Sequence, residues 1–439
     1  MFTSLFLFLL DFEEIVFYKL IIGGSNKMKT VLMISDYIEG QPVVASVRYT
    51  GLMKYFAKYM NIVTINNKLL GEEQSKFSII NYKYLTPNNI YSQNFNAKES
   101  IPNKKPLEKL LRNRWVLSSW RNYKYNEYKF KQANRALFNK LDLYLAENTV
   151  DAIFVTVPDI YGLFILKDIK KKYPNLPAIV EVRDILNNKI GTGNPTFALK
   201  KAEKIMLEYS DGIIALSQGI YNYYKDLKPD IKITIIRNGY DHELFLDSKY
   251  ESVLVKDNKL VLAHIGSIYK GRNIKEFIYG LMDFHIKTGI FVDFNIIGIL
   301  DKEAIEGINE FKVSNGVNVN LLGTLPHKNA VEYLKKSNIA VIITHKKGSD
   351  YAIPGKAFEY IGACKPILAV TEDKELVSLI QSKYGECAEH DRKDIAMKLI
   401  DLINYDYHFS DRIKYSREIQ AEKIIQYIMG VLSKSKCKV

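Results

Sequence analysis

At 439 residues, with 47% hydrophobic and 25% charged residues, the chain is too long for one ordinary core and fits two domains of roughly 200 residues each. Its three cysteines, Cys364, Cys387 and Cys437, are an odd number without a Cys-x-x-Cys pair, which excludes a disulfide framework or a zinc site of ordinary spacing and points to the cytoplasm. The net charge of +13 asks for an anionic partner, yet no helix-turn-helix, zinc-finger or RNA-binding aromatic signature supports nucleic acid.

Residues 1–27 open with "MFTSLFLFLL", which is interrupted by "DFEE" before "IVFYKLII" resumes. With no basic start, no small-residue cleavage site and no run of roughly 20 apolar residues, this is neither a secretory signal nor a membrane span. From Met28, "MKTVLMISDY" reads as a fresh start running into a buried strand. Residues 1–27 are therefore expected to be an over-called extension or a membrane-surface segment, with Met28 the working start.

Short apolar runs then alternate with amphipathic helical patterns. The first series is 30–35, 61–66, 151–156, 178–184, 212–217 and 232–239; the second is 260–266, 292–298, 317–323, 339–344 and 366–370. Unbroken β-branched runs mark strands buried on both faces, so the fold class is α/β, two doubly wound Rossmann-like parallel-sheet domains. The boundary is read at the Asn-Gly turn of "RNGYDHELF", 237–245. That gives a first domain over 28–245, a second over 246–410, and a C-terminal helix and tail over 411–439 that could cross back onto the first domain.

One stretch breaks the rhythm. Residues 103–140 carry eleven lysines and arginines against Glu108 and Glu127, and hold both tryptophans, Trp115 and Trp120. This reads either as a membrane-surface element or as a solvated basic helix with its aromatics in the core. The membrane reading would place the protein as a peripheral one on the inner face of the cell membrane.

Two stretches carry chemistry. In "IPGKAFEYIGACKPILAV", 353–370, Pro354 suits a helix start and Gly355 permits close backbone approach. Free N–H groups at a helix N-terminus attract phosphate, and Lys356 in the first turn adds a full charge. Glu359 shares that face, placed about where a ribose with two hydroxyls would lie. This is the pattern of a nucleoside-diphosphate cradle, although a surface Lys–Glu pair has the same spacing. In "HIGSIYKGRNIKEFIYGL", 264–281, a strand ends in Gly266, and a loop carries Lys270, Gly271 and Arg272. Arginine forks onto phosphate oxygens, and loops at carboxyl ends of parallel strands bind ligands. A surface turn with solvated cations is the plainer alternative. His264 and His345 sit at strand ends and read either as active-site groups or as structural histidines. A nicotinamide dehydrogenase is disfavoured, because neither first strand leads into a Gly-x-Gly-x-x-Gly turn.

Together these stretches resemble the nucleotide-sugar half of retaining, GT-B-fold glycosyltransferases of the family 4 type. The resemblance spans roughly Met28 to Ile428. "GSIYKGRN" and "GKAFEYIGACKPILAV" are its specific blocks; "QPVVASVRYTGLMKYFAK", "EVRDI" and "SDGIIALSQGIYNYY" are looser matches in the first half. The resemblance implies that Arg272 and Lys356 bind the donor diphosphate and stabilise its developing charge, without metal or cofactor. It implies donor contacts at Gly266, Lys270, Gly271, Leu325, Pro326, Gly355 and Glu359, with His327 near the base, and an acceptor side that includes Arg48. Many members carry a second glutamate eight positions before the ribose glutamate. Here Tyr351 stands there with Asp350 beside it, so these two are the donor-sugar candidates.

The function implied is transfer of a sugar from a nucleotide-diphosphate donor to a glycan or polyprenyl-linked acceptor in cell-surface polysaccharide synthesis, with retention. Two alternatives remain open: a nucleotide-sugar epimerase of the same fold, and a non-catalytic membrane-associated partner that keeps the fold.

Overall fold

The computed structural model describes residues 28–35, 44–67, 78–82, 119, 126–186, 197–253, 255, 257–269, 272, 274–311, 316–346 and 351–436. Residues 1–27, Lys270, Gly271 and Asp350, and the greater part of the basic stretch including Trp115 and Trp120, lie outside the described residues.

The first sheet has seven strands: β1 (Lys29–Ser35), β2 (Met60–Asn67), β3 (Ser78–Tyr82), β4 (Ala152–Val157), β5 (Ala178–Val182), β6 (Gly212–Ala215) and β7 (Ile233–Ile235), in the order β3-β2-β1-β4-β5-β6-β7. The second has six: β8 (Lys259–Ile265), β9 (Phe291–Ile297), β10 (Val317–Gly323), β11 (Ile339–Ile343), β12 (Ile367–Val370) and β13 (Gly385–Ala388), in the order β10-β9-β8-β11-β12-β13. Every pairing is parallel. Strand order therefore reverses between β1 and β4 and again between β8 and β11. At such switch points the flanking loops diverge and open a crevice at the carboxyl ends of the strands.

Both faces of each sheet are covered, as the unbroken apolar runs require. In β1 the period of two is visible: Leu32 and Ile34 enter one core cluster, and Val31 and Met33 the other. The second cluster is closed by helix Val44–Tyr59 and by the last helix, Arg417–Lys436. From the latter, Ala421, Ile424, Ile425 and Ile428 lie against the first sheet. In the described part of the basic stretch, Phe130, Leu137 and Phe138 are buried in the first domain, and Lys131 pairs with Asp168. No helix among the described residues is long and apolar enough to cross a membrane.

Three elements differ from the sequence reading. The apolar run 232–239 keeps its strand only to Ile235, because Arg237 and Asn238 turn away to bond other elements. Strands β3 and β13 were not anticipated. "GECA" in β13 holds no β-branched residue, and its extended form comes from its register against Ile367–Val370.

The domains meet through side chains. Glu181 is fully buried and accepts from Arg48 Nε at 3.2 Å and from the Tyr49 hydroxyl; Arg48 is only 2% exposed. Arg48 also donates to Asn238 Oδ1 at 3.0 Å, in the segment between the sheets. From the second domain, the Glu375 carboxylate receives the backbone N–H of Gln218 at 2.9 Å and pairs with Arg237. The Ser217 hydroxyl donates to the Tyr351 carbonyl.

Removing one partner of a buried pair leaves an uncompensated charge, which costs about 3–5 kcal/mol. Glu181→Ala is expected to lower the urea midpoint of the first domain accordingly. A midpoint unchanged from wild type would show that Arg48 does not need its carboxylate.

Candidate active site

The second switch point is where the candidate residues converge. Strand β8 is followed at once by Gly266, whose φ of +125° suits glycine. A Cβ there would lie 2.8 Å from Lys356 Nζ, so the bare backbone makes room for the ammonium. Lys356 arrives from the opposite side of the switch point, in the first turn of helix Gly355–Gly362, which follows β11. Gly355 is needed for a second close approach: a Cβ there would meet Asn238 Nδ2 at 2.6 Å. The residue that Arg48 holds thus lies directly against the start of this helix.

Arg272 follows β8. Its Nη1 donates to the Ser267 carbonyl at 2.9 Å, and its guanidinium carbon lies 4.9 Å from the centre of the Tyr269 ring. Its Nε is buried with no hydrogen-bond partner among the described residues. Neither Arg272 nor Lys356 is ion-paired among the described residues. Burial first and then the charge of Arg272, opposed by Glu359, lower the pKa of Lys356 to about 7. The guanidinium is also lowered by burial. Two partly desolvated cations beside the free amides of a helix N-terminus form a strong seat for an anion with several oxygens.

Lys356 Nζ donates to His264 Nε2 at 3.1 Å, and His264 Nδ1 lies 3.0 Å from the Val341 carbonyl oxygen. His264 is fully buried, and burial followed by the Lys356 and Arg272 charges hold its pKa well below the usual histidine value.

One turn along the helix, Glu359 Oε1 lies 3.0 Å from His327 Nε2 and 3.8 Å from Arg417 Nη2. The hydrogen bond to Glu359 raises the pKa of His327. His327 begins helix His327–Lys336 with Pro326 at the N-cap position, so Leu325 and Pro326 directly precede the residue that bonds Glu359. Arg417, from the last helix, was not singled out in the sequence. It is only 5% exposed and lies 3.8 Å from both Glu359 and Asp241, with no hydrogen-bond partner for its Nε among the described residues. A Cβ on Gly51 would come within 2.7 Å of its Cδ. Nothing in the local pattern "SREIQ" marks it, because its position depends on the whole chain crossing back.

Three other candidates have contacts of their own. Arg48 is committed to Glu181 and Asn238. Tyr351 packs against the core of the first domain, with its carbonyl held by Ser217. The His345 ring lies edge-on to Tyr269, their centroids 6.0 Å apart. A cavity of about 510 Å³ lined by Lys335, Cys364 and Lys365 opens at the amino end of the second sheet, away from this cluster.

No protein-family model matches the chain, and no curated protein sequence matches it. Among solved structures, Anabaena HepE in complex with UDP and glucose superposes with a TM-score of 0.54 at 13% identity, over 93% of this chain and 98% of that one. The lipopolysaccharide outer core galactosyltransferase WaaB gives 0.54 at 16% identity, over 91% and 99%. A putative UDP-N-acetylglucosamine 2-epimerase from Listeria monocytogenes gives 0.53 at 11%, over 92% and 96%. The chain therefore has the two-domain GT-B fold, shared with nucleotide-sugar glycosyltransferases.

The depressed pKa of Lys356 can be read without knowing a ligand. Competitive acylation of amines, followed residue by residue with mass spectrometry, is expected to give Lys356 a midpoint near 7. Exposed lysines titrate at about 10.4. Saturating sulfate should move the Lys356 midpoint upward, since an anion favours the charged form. A midpoint in the ordinary range would show that the two cations are not held together.

Proposed function

We propose that the chain is a glycosyltransferase that moves a sugar from a nucleoside-diphosphate donor to a glycan or lipid-linked acceptor, with retention of configuration. The observation that carries this reading is the pair of unpaired cations, Lys356 and Arg272, beside a helix N-terminus at the switch point of the second sheet. In this reading the donor diphosphate sits between Lys356, Arg272 and the Gly355 amide, and Glu359 receives the ribose hydroxyls. Leu325 and Pro326 flank the base, with Gly266 leaving space beneath the phosphates. Lys270 and Gly271 belong to the same loop, and Asp350 with Tyr351 to the donor-sugar end.

The bond between the anomeric carbon and the β-phosphate oxygen breaks as the acceptor hydroxyl attacks from the same face. The electron pair leaves on the diphosphate, where the cations stabilise it, and the hydroxyl proton passes to the departing phosphate oxygen. The same preorganised cations hold the charge the donor already carries, and they speed the reaction in so far as they stabilise the further charge that develops as the sugar leaves. His327 and Arg417 compete for Glu359 until a ribose arrives, which keeps the carboxylate oriented. The basic stretch 103–140 would bring the protein to an anionic membrane carrying a lipid-linked acceptor.

The epimerase among the structural neighbours favours a second reading on the same fold, conversion of the donor sugar without any acceptor. Incubation with donor alone separates the two: an altered sugar nucleotide formed without acceptor would support epimerisation and overturn transfer.

Thermal unfolding against UDP, GDP, ADP and CMP tests the cradle. A diphosphate at about one hundred times its dissociation constant should add roughly 2.7 kcal/mol, and Lys356→Ala should abolish the shift. Once a donor and acceptor are found, Lys356→Ala or Arg272→Ala is expected to lower kcat about 10²–10³-fold. Full turnover by both variants would overturn the assignment.

A further inference from the structure

Beneath the candidate catalytic lysine lies a group that the transfer reaction does not itself use. We propose that His264 is the positioning residue for Lys356, a fixed neutral acceptor that holds the ammonium against Gly266 and aims it at the anion seat. The inference deepens the donor-site reading and rests on it for its functional meaning, but its geometry stands alone.

A carbonyl oxygen can only accept, so the 3.0 Å contact with Val341 places the imidazole proton on Nδ1. Nε2 is then left with its lone pair outward, and the Lys356 ammonium donates to it at 3.1 Å. The Gly266 backbone also interacts with the ring and steadies it. The ring is fully buried, and Val341 sits in the middle of β11, across the switch point from β8. The Tyr360 hydroxyl steadies the same edge, receiving the Ile265 N–H at 2.9 Å and lying 3.4 Å from the Val341 carbonyl oxygen.

Among the described residues, the charged groups around Lys356 are few. From the segment after β8 comes Arg272, from its own helix Glu359, and from β8 the neutral His264. Glu359 is drawn toward His327 and Arg417. The imidazole is thus the one hydrogen-bond acceptor that Lys356 has among the described residues. A protonated imidazole would repel the ammonium, so the site works only while His264 stays neutral, which its burial beside two cations ensures. An apolar residue would leave a long, flexible lysine unbonded beside a second cation. It would then lose its proton more readily and swing out of the Gly266 notch.

Two substitutions separate a positioning role from a merely structural one. His264→Asn keeps a side-chain amide near the Nδ1 position, able to bond Val341, but offers nothing at Nε2. His264→Gln reaches the Nε2 position and can present an oxygen to Lys356. The readout is the acylation midpoint of Lys356 in each purified, folded variant, together with UDP affinity between pH 6.5 and 8.5.

In His264→Asn the Lys356 midpoint should move to lower pH by about one to two, the scale of a hydrogen bond to a charged group. UDP affinity should fall at least tenfold at pH 7.5 and recover toward acid pH. His264→Gln should stay within about threefold of wild type in affinity, with a midpoint near the wild-type value. The proposal is overturned if folded His264→Asn matches wild type in both readouts, or if folded His264→Gln shows the losses expected of Asn. Should His264→Asn not fold, the Gln variant alone decides, by the same two readouts. Failure of the wild type to bind UDP would count against the donor reading. The Lys356 midpoints would still decide the role of His264.

Discussion

Two like charges held side by side at the end of a parallel sheet are the constraint around which this molecule is arranged. Lys356 and Arg272 repel each other and are partly cut off from water, so their proximity costs free energy in the empty protein. That cost is met by rigid neighbours. Arg272 is fixed by the Ser267 carbonyl and the Tyr269 ring, and Lys356 by His264 and the notch at Gly266. An anion with several oxygens would relieve the repulsion and gain both cations and a helix N-terminus at once. Strain of this kind is relieved only when the anion binds, so it sharpens the preference for a doubly charged bridging group over a single charge.

The same seat is tied to the other domain. Asn238 touches Gly355 on one side and accepts from Arg48 on the other, and Arg48 is anchored on the fully buried Glu181. Any opening of the domains that pulls on the segment after β7 therefore acts on the first turn of the lysine helix. Arg417 supplies a second tie: it stems from a helix laid on the first sheet but reaches Glu359 in the second domain. Gly355 and Glu359 are thus each tied to the first domain by a short polar chain, beside the contacts that Glu375 and Tyr351 make across the domains. Side-chain hydrogen bonds can exchange partners as domains shift, which a packed core does not allow.

The sequence was most legible where physics is local. Unbroken apolar runs in β1, β4, β8 and β11 marked strands buried on both faces, and their alternation with helices led to two doubly wound sheets. The Pro-Gly-Lys start of a helix and its Glu359 one turn on were visible for the same reason, since helix geometry fixes which side chains share a face. What escaped was non-local. Strand β13 has no strand-forming composition and is extended because β12 pairs with it. The role of His264 depends on Val341, 77 positions away, and Arg417 reaches the site only because the last helix returns to the first domain. A lone histidine in a strand and a lone arginine before a helix carry no signal that periodicity could detect.

A final point concerns why the anion seat lies where it does. Helix Gln218–Leu227 also begins where the domains meet, and its free N–H groups would by themselves attract phosphate as well as those of the lysine helix. The chain answers that attraction internally. Glu375 reaches across from the second domain, takes the amides of Gln218 and Gly219, and is itself balanced by Arg237. One helix N-terminus is thus satisfied by the protein's own carboxylate, while the one at Gly355 is backed by cations with no carboxylate paired to them among the described residues. The two turns differ in their caps, since Ser217 accepts from the Ile220 N–H while Pro354 offers no side-chain acceptor, and in whether the charge around them is already complete. Of these two helix starts, the one at Gly355 is the seat that still lacks a counterion among the described residues.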